Sequence, residues 1–554
     1  MQKKVRNESS SWAYLWSVTG KIKWNIVLLC VIQTLLGIST VFYALFLKEI
    51  INRAVSGDRQ GLFACFGLFA LLVFVQIMTR TVIRQLEEHT RALLENQVKG
   101  RLFGALLKSE YAFVTAVHSG EWMNRLTGDT ALVANGLTEI LPRLLGTVVR
   151  LVSAASMLIV LEPKFAMVIL PGGFLLIVIS YAFRRIMKSL HKSVREKDGE
   201  LRSYMQESLG SMKVVRSYAM EEAVECEADR HMQEHKQKRM QKATFSNVSH
   251  TGLALAMNGA MVLGICYCAY GIFAGVYDYG TFVAVMQLIG QAQMPFANIS
   301  GFLPRFYAMM ASCERLTEVE AWLEKQDENR LSLLEVQHFY QEKLLGLGLE
   351  HAFFAYNSQE ENVLQDFSID IQKGEFVAFT GSSGCGKSTV LEALLCLYQL
   401  QQGNRYMLTA EGKRALTDRY QKLFAYVPQG NHLMSGTIRQ VVAFAEEGTV
   451  DEERIRQALQ IACAEFVYEL EAGLDTVLGE RGAGLSEGQM QRLAIARAIY
   501  SGHPVLFFDE ATSALDGPTE AKVLENLRAM TDRTLLIVTH RQQALEVCDR
   551  VIEF

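Results

Sequence analysis

The sequence predicts an α-helical transmembrane bundle, six spans with long cytoplasmic helical extensions, followed by an α/β domain of the phosphate-loop class. Three observations carry that expectation. Half of the 554 residues are hydrophobic, and over the first 320 they gather into long runs without charge. Basic polar stretches separate some of these runs, whereas only one or three residues separate others. Further on, Gly381-Ser382-Ser383-Gly384-Cys385-Gly386-Lys387-Ser388 follows the apolar strand Val377-Ala378-Phe379, a strand-then-glycine-loop pattern that holds phosphates.

In chain order, Met1 to Lys23 is short and basic and carries Trp12, Tyr14 and Trp16, which suit an interfacial helix. It has no cleavage site and leads into a long apolar run, so it is not read as a removed signal peptide. Trp24 to Leu47, Leu62 to Thr79, Phe165 to Phe183, Ala243 to Tyr277 and Tyr279 to Pro304 contain no Asp, Glu, Lys or Arg. Leu144 to Leu161 is apolar apart from Arg150. Runs of about 20 apolar residues cross a bilayer as helices, because only a helix satisfies its own backbone there. Residues 24–320 are therefore expected to form a six-helix transmembrane domain.

Glu162-Pro163-Lys164 alone joins spans three and four, and the turn around Asp278 joins five and six. The connections after spans two and four are long, polar and rich in Lys and Arg. Arg184, Arg185, Lys188, Lys192 and Arg195 follow span four directly. Positive flanks select the cytoplasm. Both termini, both long loops and the C-terminal domain are then expected inside, in a multi-pass protein of the cell membrane. The long loops are expected to continue the spans as helix at about 1.5 Å per residue. A linker over 321–343 precedes the second domain, 344–554.

In the phosphate loop the glycines let backbone N–H groups wrap phosphates at a helix N-terminus. Lys387 supplies a point charge and Ser388 a hydroxyl for Mg²⁺, with Thr389 beside it. Gly381, Ser382, Ser383, Gly384, Cys385 and Gly386 form the cradle. Val505-Leu506-Phe507-Phe508-Asp509-Glu510 is an apolar strand ending in two carboxylates. An acid in this position is otherwise an ordinary surface carboxylate, yet one directly after a buried strand ending in Asp has little other use.

Leu485-Ser486-Glu487-Gly488-Gln489, together with the phosphate loop, resembles the signature of ABC-type ATPases. The rest of that family's set occurs in the family's order: Tyr356, Gln429 in Val427-Pro428-Gln429, Asp509-Glu510, Ser513-Ala514-Leu515-Asp516 and His540 after Leu535 to Thr539. The resemblance implies ATP and Mg²⁺ as cofactors. It implies that Tyr356 stacks on adenine, although an aromatic in a β-rich stretch is often only packing. Asp509, Ser388 and Gln429 would serve Mg²⁺, while Glu510 would orient and deprotonate the attacking water. His540 would contact the γ-phosphate, and Gln429 would sense metal and water. Ser486, Gly488 and Gln489 would close over the nucleotide held by a second subunit. Such chemistry rests on positioning and charge stabilisation.

The whole plan, six spans fused N-terminal to one ATPase, resembles the exporter-type half-transporter of that family. Gly120 to Asp129 looks like the segment after the family's first coupling helix, and Gly210 to Tyr218 like its second. The function implied is ATP-driven export of a small molecule, peptide or lipid by alternating access. An exporter-fold importer and an ATP-gated channel or regulator are the alternatives. A soluble DNA-repair ATPase shares the motifs but has no use for six spans. One chain supplies half of each composite site, and both halves look intact, so a homodimer suffices; a heterodimer with a degenerate partner is the alternative.

Some positions depart from the family. Glu487 stands where glycine is commonest and is expected to face solvent. Val477 stands where a glutamate often contacts the coupling helices. The chain ends at Phe554, soon after His540, where similar domains usually add a strand and a helix or two; a surface holding the ATPases together is expected to be missing. No peptidase-sized segment precedes the spans, which speaks against substrate cleavage. A net charge of −4 gives no reason to invoke nucleic acid, and the ten cysteines show no zinc spacing. Cys385, beside Lys387 and a helix N-terminus, is the thiol expected to react with maleimides, its bland reading being a small packed residue. Arg150 is the one charge inside a span, read either as facing a cavity or as reaching the headgroups. Gln33, Gln76, Gln287, Gln291, Gln293 and Asn298 would line a polar path. The substrate is not legible.

Overall fold

Long apolar helices that satisfy their own backbone form the first part of the molecule. The computed structural model describes residues 15–320, 330–356, 361–430, 433–444, 450–479, 484–530 and 532–554. Residues 1–14 of the expected interfacial segment, with Trp12 and Tyr14, and 321–329 of the expected linker lie outside them. The chain divides into two compact units, 1–105 with 119–321, and 106–118 with 322–554.

The first unit is helical: α1 (Leu15–Ser56, with a 3-10 turn at Gly20–Ile22), α2 (Arg59–Lys108), α4 (Ser119–Leu161), α5 (Pro163–Gly210), α6 (Met212–Ser217), α7 (Glu221–Phe273) and α8 (Tyr279–Glu320). The short α3 (Tyr111–Thr115) falls in the second unit. Among the described residues α1, α2, α4 and α7 are long and apolar enough to cross a membrane. Helices α5 and α8, which carry the other two apolar runs, contain side chains outside the described residues and are 48 and 42 residues long. Large apolar side chains such as Phe63, Val160 and Leu255 stand exposed along these helices, as lipid-facing surfaces do.

Small residues set how closely the helices approach. A Cβ on Gly37 of α1 would lie 2.8 Å from the Gly146 carbonyl oxygen of α4, and one on Gly146 3.0 Å from the Gln33 carbonyl. Spans one and three therefore meet backbone to backbone, a contact only glycine permits. Two π-helical turns, Arg125–Asp129 and Gly136–Ile140, interrupt α4. From the first, buried Asp129 takes two bonds from Arg315 of α8, Nε to Oδ2 at 2.8 Å and Nη2 to Oδ1 at 2.5 Å, and one from Ser312 at 2.9 Å. Several expected path residues instead bond across helices. Gln76 donates to Ser39 Oγ at 3.0 Å, Gln291 to the Thr40 carbonyl at 2.7 Å and Gln293 to the Met257 carbonyl at 2.8 Å; the Asn298 side chain lies outside the described residues.

In the second unit, α9 (Leu333–Glu342) opens on a Ser332–Glu335 capping box. An antiparallel sheet of order β2-β1-β4-β5 comprises β1 (Leu344–Phe354), β2 (Leu364–Gln372), β4 (Gln402–Thr409) and β5 (Gly412–Ala415). A parallel sheet of order β11-β3-β10-β9-β6 comprises β3 (Phe376–Thr380), β6 (Phe424–Val427), β9 (Val505–Asp509), β10 (Thr534–Val538) and β11 (Arg550–Glu553). The small pair β7 (Gly436–Thr437) and β8 (Val477–Leu478) is separate. Helices α10 (Lys387–Leu394), α11 (Ile438–Val442), α12 (Glu452–Ile461), α13 (Glu487–Tyr500), α14 (Gly517–Arg528) and α15 (Gln542–Val547) complete the unit.

Every residue of β9 and β10 is buried, which explains why they read as unbroken apolar runs. Alternate residues feed two cores. Ala378, Leu506, Phe508, Leu535 and Ile537 pack toward the α11 to α14 side. Val377, Phe379, Val505, Phe507, Leu536 and Val538 pack toward α9, α10 and the antiparallel sheet. Segment 106–118 belongs here through Tyr111, whose ring lies 5.5 Å edge-on from Tyr398, and through Gln399 donating to Glu110 at 2.9 Å.

Candidate nucleotide site

The parallel sheet decides where the sequence motifs meet. β3, β10, β9 and β6 are consecutive neighbours and run the same way. The phosphate loop, His540, Asp509-Glu510 and Gln429 each follow the carboxyl end of one of these strands, the edge where open α/β sheets bind ligands.

Gly381, Gly384 and Gly386 take φ of +132°, +85° and +103°, conformations that side chains strain. At Gly381 space is also short, since a Cβ would lie 2.8 Å from the Phe554 carbonyl oxygen. The Phe554 ring stacks 5.1 Å from Phe367 and meets Phe379 at 5.3 Å, backing the loop. Helix α10 starts at Lys387 with its first N–H groups toward the loop. The Lys387 ammonium donates to the Gly381 and Ser382 carbonyls, each at 2.8 Å, and lies 3.6 Å from Cys385 Sγ. Thr389, one turn into α10, is buried.

Asp509 is buried, and burial pushes its carboxyl above the usual carboxylate range. Hydrogen bonds from the Ser388 and Tyr426 hydroxyls pull the other way, with Tyr426 Oη 3.2 Å from Oδ2. Glu510 adopts φ of +51°, left-handed for a non-glycine residue. Its N–H donates to the Val538 carbonyl at 3.1 Å, and Gln429 Nε2 donates to its Oε2 at 2.9 Å. The neighbouring strand holds this strained backbone in place. His540 stands exposed just past β10.

Tyr356 does reach the phosphate-loop helix. Its hydroxyl lies 2.9 Å from Thr389 Oγ1 and donates to Glu392 at 3.0 Å, while its ring meets Tyr398 edge-on at 5.3 Å. Burial pushes the phenol up to about 12, so it stays a donor. The residue is 47% exposed.

The signature lies elsewhere. Ser486 caps α13, its hydroxyl accepting from the Gln489 N–H at 3.3 Å, while the Gln489 side chain accepts from the Ser486 N–H at 2.9 Å. A Cβ on Gly488 would lie 2.9 Å from the Ala514 carbonyl oxygen, so the first turn presses on Ser513 to Asp516. Among the described residues no hydrogen bond joins Ser486, Gly488 or Gln489 to the phosphate loop of the same chain. Glu487 is exposed in the first turn of α13, where the helix dipole favours an acid. Val477 is likewise exposed.

Three contributors were not singled out in the sequence. Tyr426 bonds Asp509 from the neighbouring strand. Buried Gln491 donates to Ser513 Oγ at 3.0 Å and accepts from the Ala514 N–H at 2.9 Å, tying α13 to that loop. Arg541 donates to the Leu515 carbonyl at 2.5 Å, to the Ser513 carbonyl and to buried Glu520 at 3.0 Å. Only the order of His540-Arg541 in the chain could have hinted at the last.

Comparison with known proteins bears on family and fold. The family described as ABC transporter transmembrane region matches residues 26–296, and the one described as ABC transporter matches residues 364–513. An ATP-dependent lipid A-core flippase of Pasteurella multocida is 28% identical over 100% of this chain and 94% of its own length. A leukotoxin translocation ATP-binding protein of Mannheimia glucosida is 25% identical over 99% of this chain and 77% of its own. The solved structure of a bacterial Atm1-family ABC exporter with ATP bound shares the fold, with a TM-score of 0.80 and 21% identity over 97% of this chain and 94% of that one. The chain belongs to the ABC transporter superfamily, as an exporter-type half-transporter with membrane helices and ATPase in one polypeptide.

Proposed function

We propose that two copies of this chain form a homodimer that binds Mg²⁺-ATP at two composite sites and exports an amphiphile, lipid in kind, from the cytoplasmic side of the cell membrane. The observation that carries the reading is the gathering of Lys387, Asp509, Glu510, Gln429 and His540 at one sheet edge, in a chain whose other unit is membrane helices. The signature turn faces Ser513 to Asp516, so the donors that complete each site come from the second copy. The ATPase and both termini lie in the cytoplasm, on the side of the basic connections. The lipid assignment follows the flippase relatives, which align over nearly their whole length.

Each residue then has a task. The N-terminus of α10 and the loop N–H groups receive the phosphates. Lys387 exchanges the Gly381 and Ser382 carbonyls for phosphate oxygens. The Asp509 carboxylate, the Ser388 hydroxyl and the Gln429 amide oxygen are hard oxygen donors that suit Mg²⁺, which when bound neutralises charge on the phosphates. Glu510 takes the proton of the attacking water while Gln429 holds its carboxylate. His540 donates to the γ-phosphate from β10. The Ser486 hydroxyl accepts from Gln489 N–H and keeps its own proton free for the partner's nucleotide.

Glu510→Gln is the test. ATP binding is expected to persist while turnover falls by about 10²–10³-fold, because the amide cannot accept a proton. Near-normal hydrolysis would remove Glu510 as base. ATP-dependent accumulation of lipid probe in inside-out vesicles is expected for the parent and absent in the variant; accumulation in right-side-out vesicles alone would reverse the direction.

A further inference from the structure

Glu392 lies in the last turn of α10, the helix that leaves the phosphate loop. A carboxylate there works against the helix dipole, which favours cations at this end. Burial pushes the Glu392 carboxyl above the usual carboxylate range, and the negative charge of Asp509 adds to the rise. The residue is half-buried, and among the described residues it has no ion pair. Its neighbours Val390, Leu391, Ala393 and Leu394 are buried and apolar, so the acid is a local departure that packing does not require.

What the carboxylate holds is Tyr356. The tyrosine hydroxyl donates to Glu392 Oε2 at 3.0 Å and lies 2.9 Å from Thr389 Oγ1. Glu392 stands three residues after Thr389 and four after Ser388, so one face of α10 presents all three. Ser388 turns to Asp509, while Thr389 and Glu392 together fix the tyrosine hydroxyl. Edge-on contacts with Phe354 at 5.0 Å and Tyr398 at 5.3 Å fix the ring. Tyr356 is thus restrained at its tip and edges although it is exposed. A hydrogen bond to a charged acceptor is roughly twice as strong as one to a neutral acceptor, which accounts for an acid here rather than an amide. An exposed ring beside a phosphate cradle is a platform on which a base can stack. A ring fixed in advance loses no side-chain freedom when the base arrives, and that saving appears as affinity.

We propose that Glu392 is a positioning residue for the nucleotide base, its carboxylate holding Tyr356 ready to stack before ATP arrives. The residue acts through Tyr356 and touches no reacting atom. The proposal rests on the reading of this sheet edge as the ATP site and deepens it, adding a residue outside the groups that serve the phosphates, the metal and the water.

The experiment uses the full-length protein in neutral detergent and compares hydrolysis of ATP with that of ribose 5′-triphosphate, which lacks the base. In the parent, KM for ATP is expected to be about tenfold lower than for ribose triphosphate. Glu392→Ala and Tyr356→Phe should each raise KM for ATP about fivefold with kcat little changed, and the two together should do no more than either alone. Glu392→Gln, which keeps an oxygen for the hydroxyl, should recover most of the loss. KM for ribose triphosphate should not move in any variant. An unchanged KM for ATP in Glu392→Ala, or an equal rise for both triphosphates, overturns the proposal and leaves the ATP site standing. Should the alanine protein fail to fold, Glu392→Gln is introduced into the Tyr356→Phe protein: no further change supports the shared bond, and a further rise in KM for ATP overturns it. A parent that hydrolyses neither triphosphate would overturn the ATP-site reading and the proposal together.

Discussion

The Asp509 carboxylate is held by a phenol the motif does not contain. Tyr426 Oη, 3.2 Å away, is one of two hydroxyl donors to a buried acid that burial alone would push toward the neutral form. Tyr426→Phe removes that donor without changing shape, so the carboxyl should rise further and Mg²⁺ should be held less well. ATPase activity is expected to need several-fold more Mg²⁺ for half-saturation, with the maximal rate little changed; an unchanged Mg²⁺ dependence would sink the role. Cys385 offers a second test at this scale. Its sulfur lies 3.6 Å from the Lys387 ammonium and is only partly buried, whereas Cys313 and Cys463 are enclosed. Maleimide should inhibit hydrolysis mainly through Cys385, and ATP should slow the labelling. A Cys385→Ala protein that hydrolyses ATP yet is inhibited as strongly as the parent would point to another thiol. Glu510 was legible as an acid after a buried strand, but its left-handed backbone and its bond to Gln429 were not, since both depend on β10 and β6 lying alongside.

Among elements, α4 shows how a sequence pattern and its partner separate. The sequence singles out the stretch Gly120 to Asp129, yet nothing there says that it touches Arg315. The π-helical turn ending at Asp129 turns this carboxylate onto α8, where Arg315 and Ser312 meet it. Asp129 is buried and Arg315 is partly exposed, so the cost of breaking the pair falls on the acid left behind. Arg315→Ala should destabilise the helical unit by about 2–3 kcal/mol, read as a lower thermal midpoint in detergent. Arg315→Lys should recover only part, because lysine lacks the fork that makes both bonds. A midpoint unchanged in the alanine variant would show the pair to be ornamental. Helix α13 makes the complementary point: Ser486 and Gln489 stood out in the signature, but Gln491, which anchors the helix to Ser513 and Ala514, looked like any polar helix residue.

For the molecule as a whole, the separation of signature from phosphate loop within one chain bears on assembly. On the proposed reading each site takes donors from a second ATPase, and a homodimer would supply them with one gene product. Protein expressed alone and solubilised in detergent is expected to run with twice the mass of one chain and to hydrolyse ATP. A monomer without activity would require a different partner subunit. The division into a membrane part and an ATPase was legible from charge-free runs and motifs. That 106–118 would group with the ATPase unit was not, because the contact of Tyr111 with Tyr398 joins residues far apart in the chain.

The sequence by itself determined those features that arise from short-range chemistry. Lipid leaves no partner for a backbone group, so long apolar runs must be helices. A glycine loop between strand and helix must expose N–H groups. An all-apolar strand must be covered on both faces. Tertiary structure alone decided which motifs share a site, because strand order β3-β10-β9-β6 departs from chain order and brings His540 and Asp509 beside Lys387. It alone joined Tyr426 to Asp509 and Arg315 to Asp129. It alone collected arginines from three helices around one cavity, where Arg150 in the sequence had been a single charge with two readings. Periodicity reports which face of an element is apolar; which neighbour that face meets is settled only by packing the whole chain.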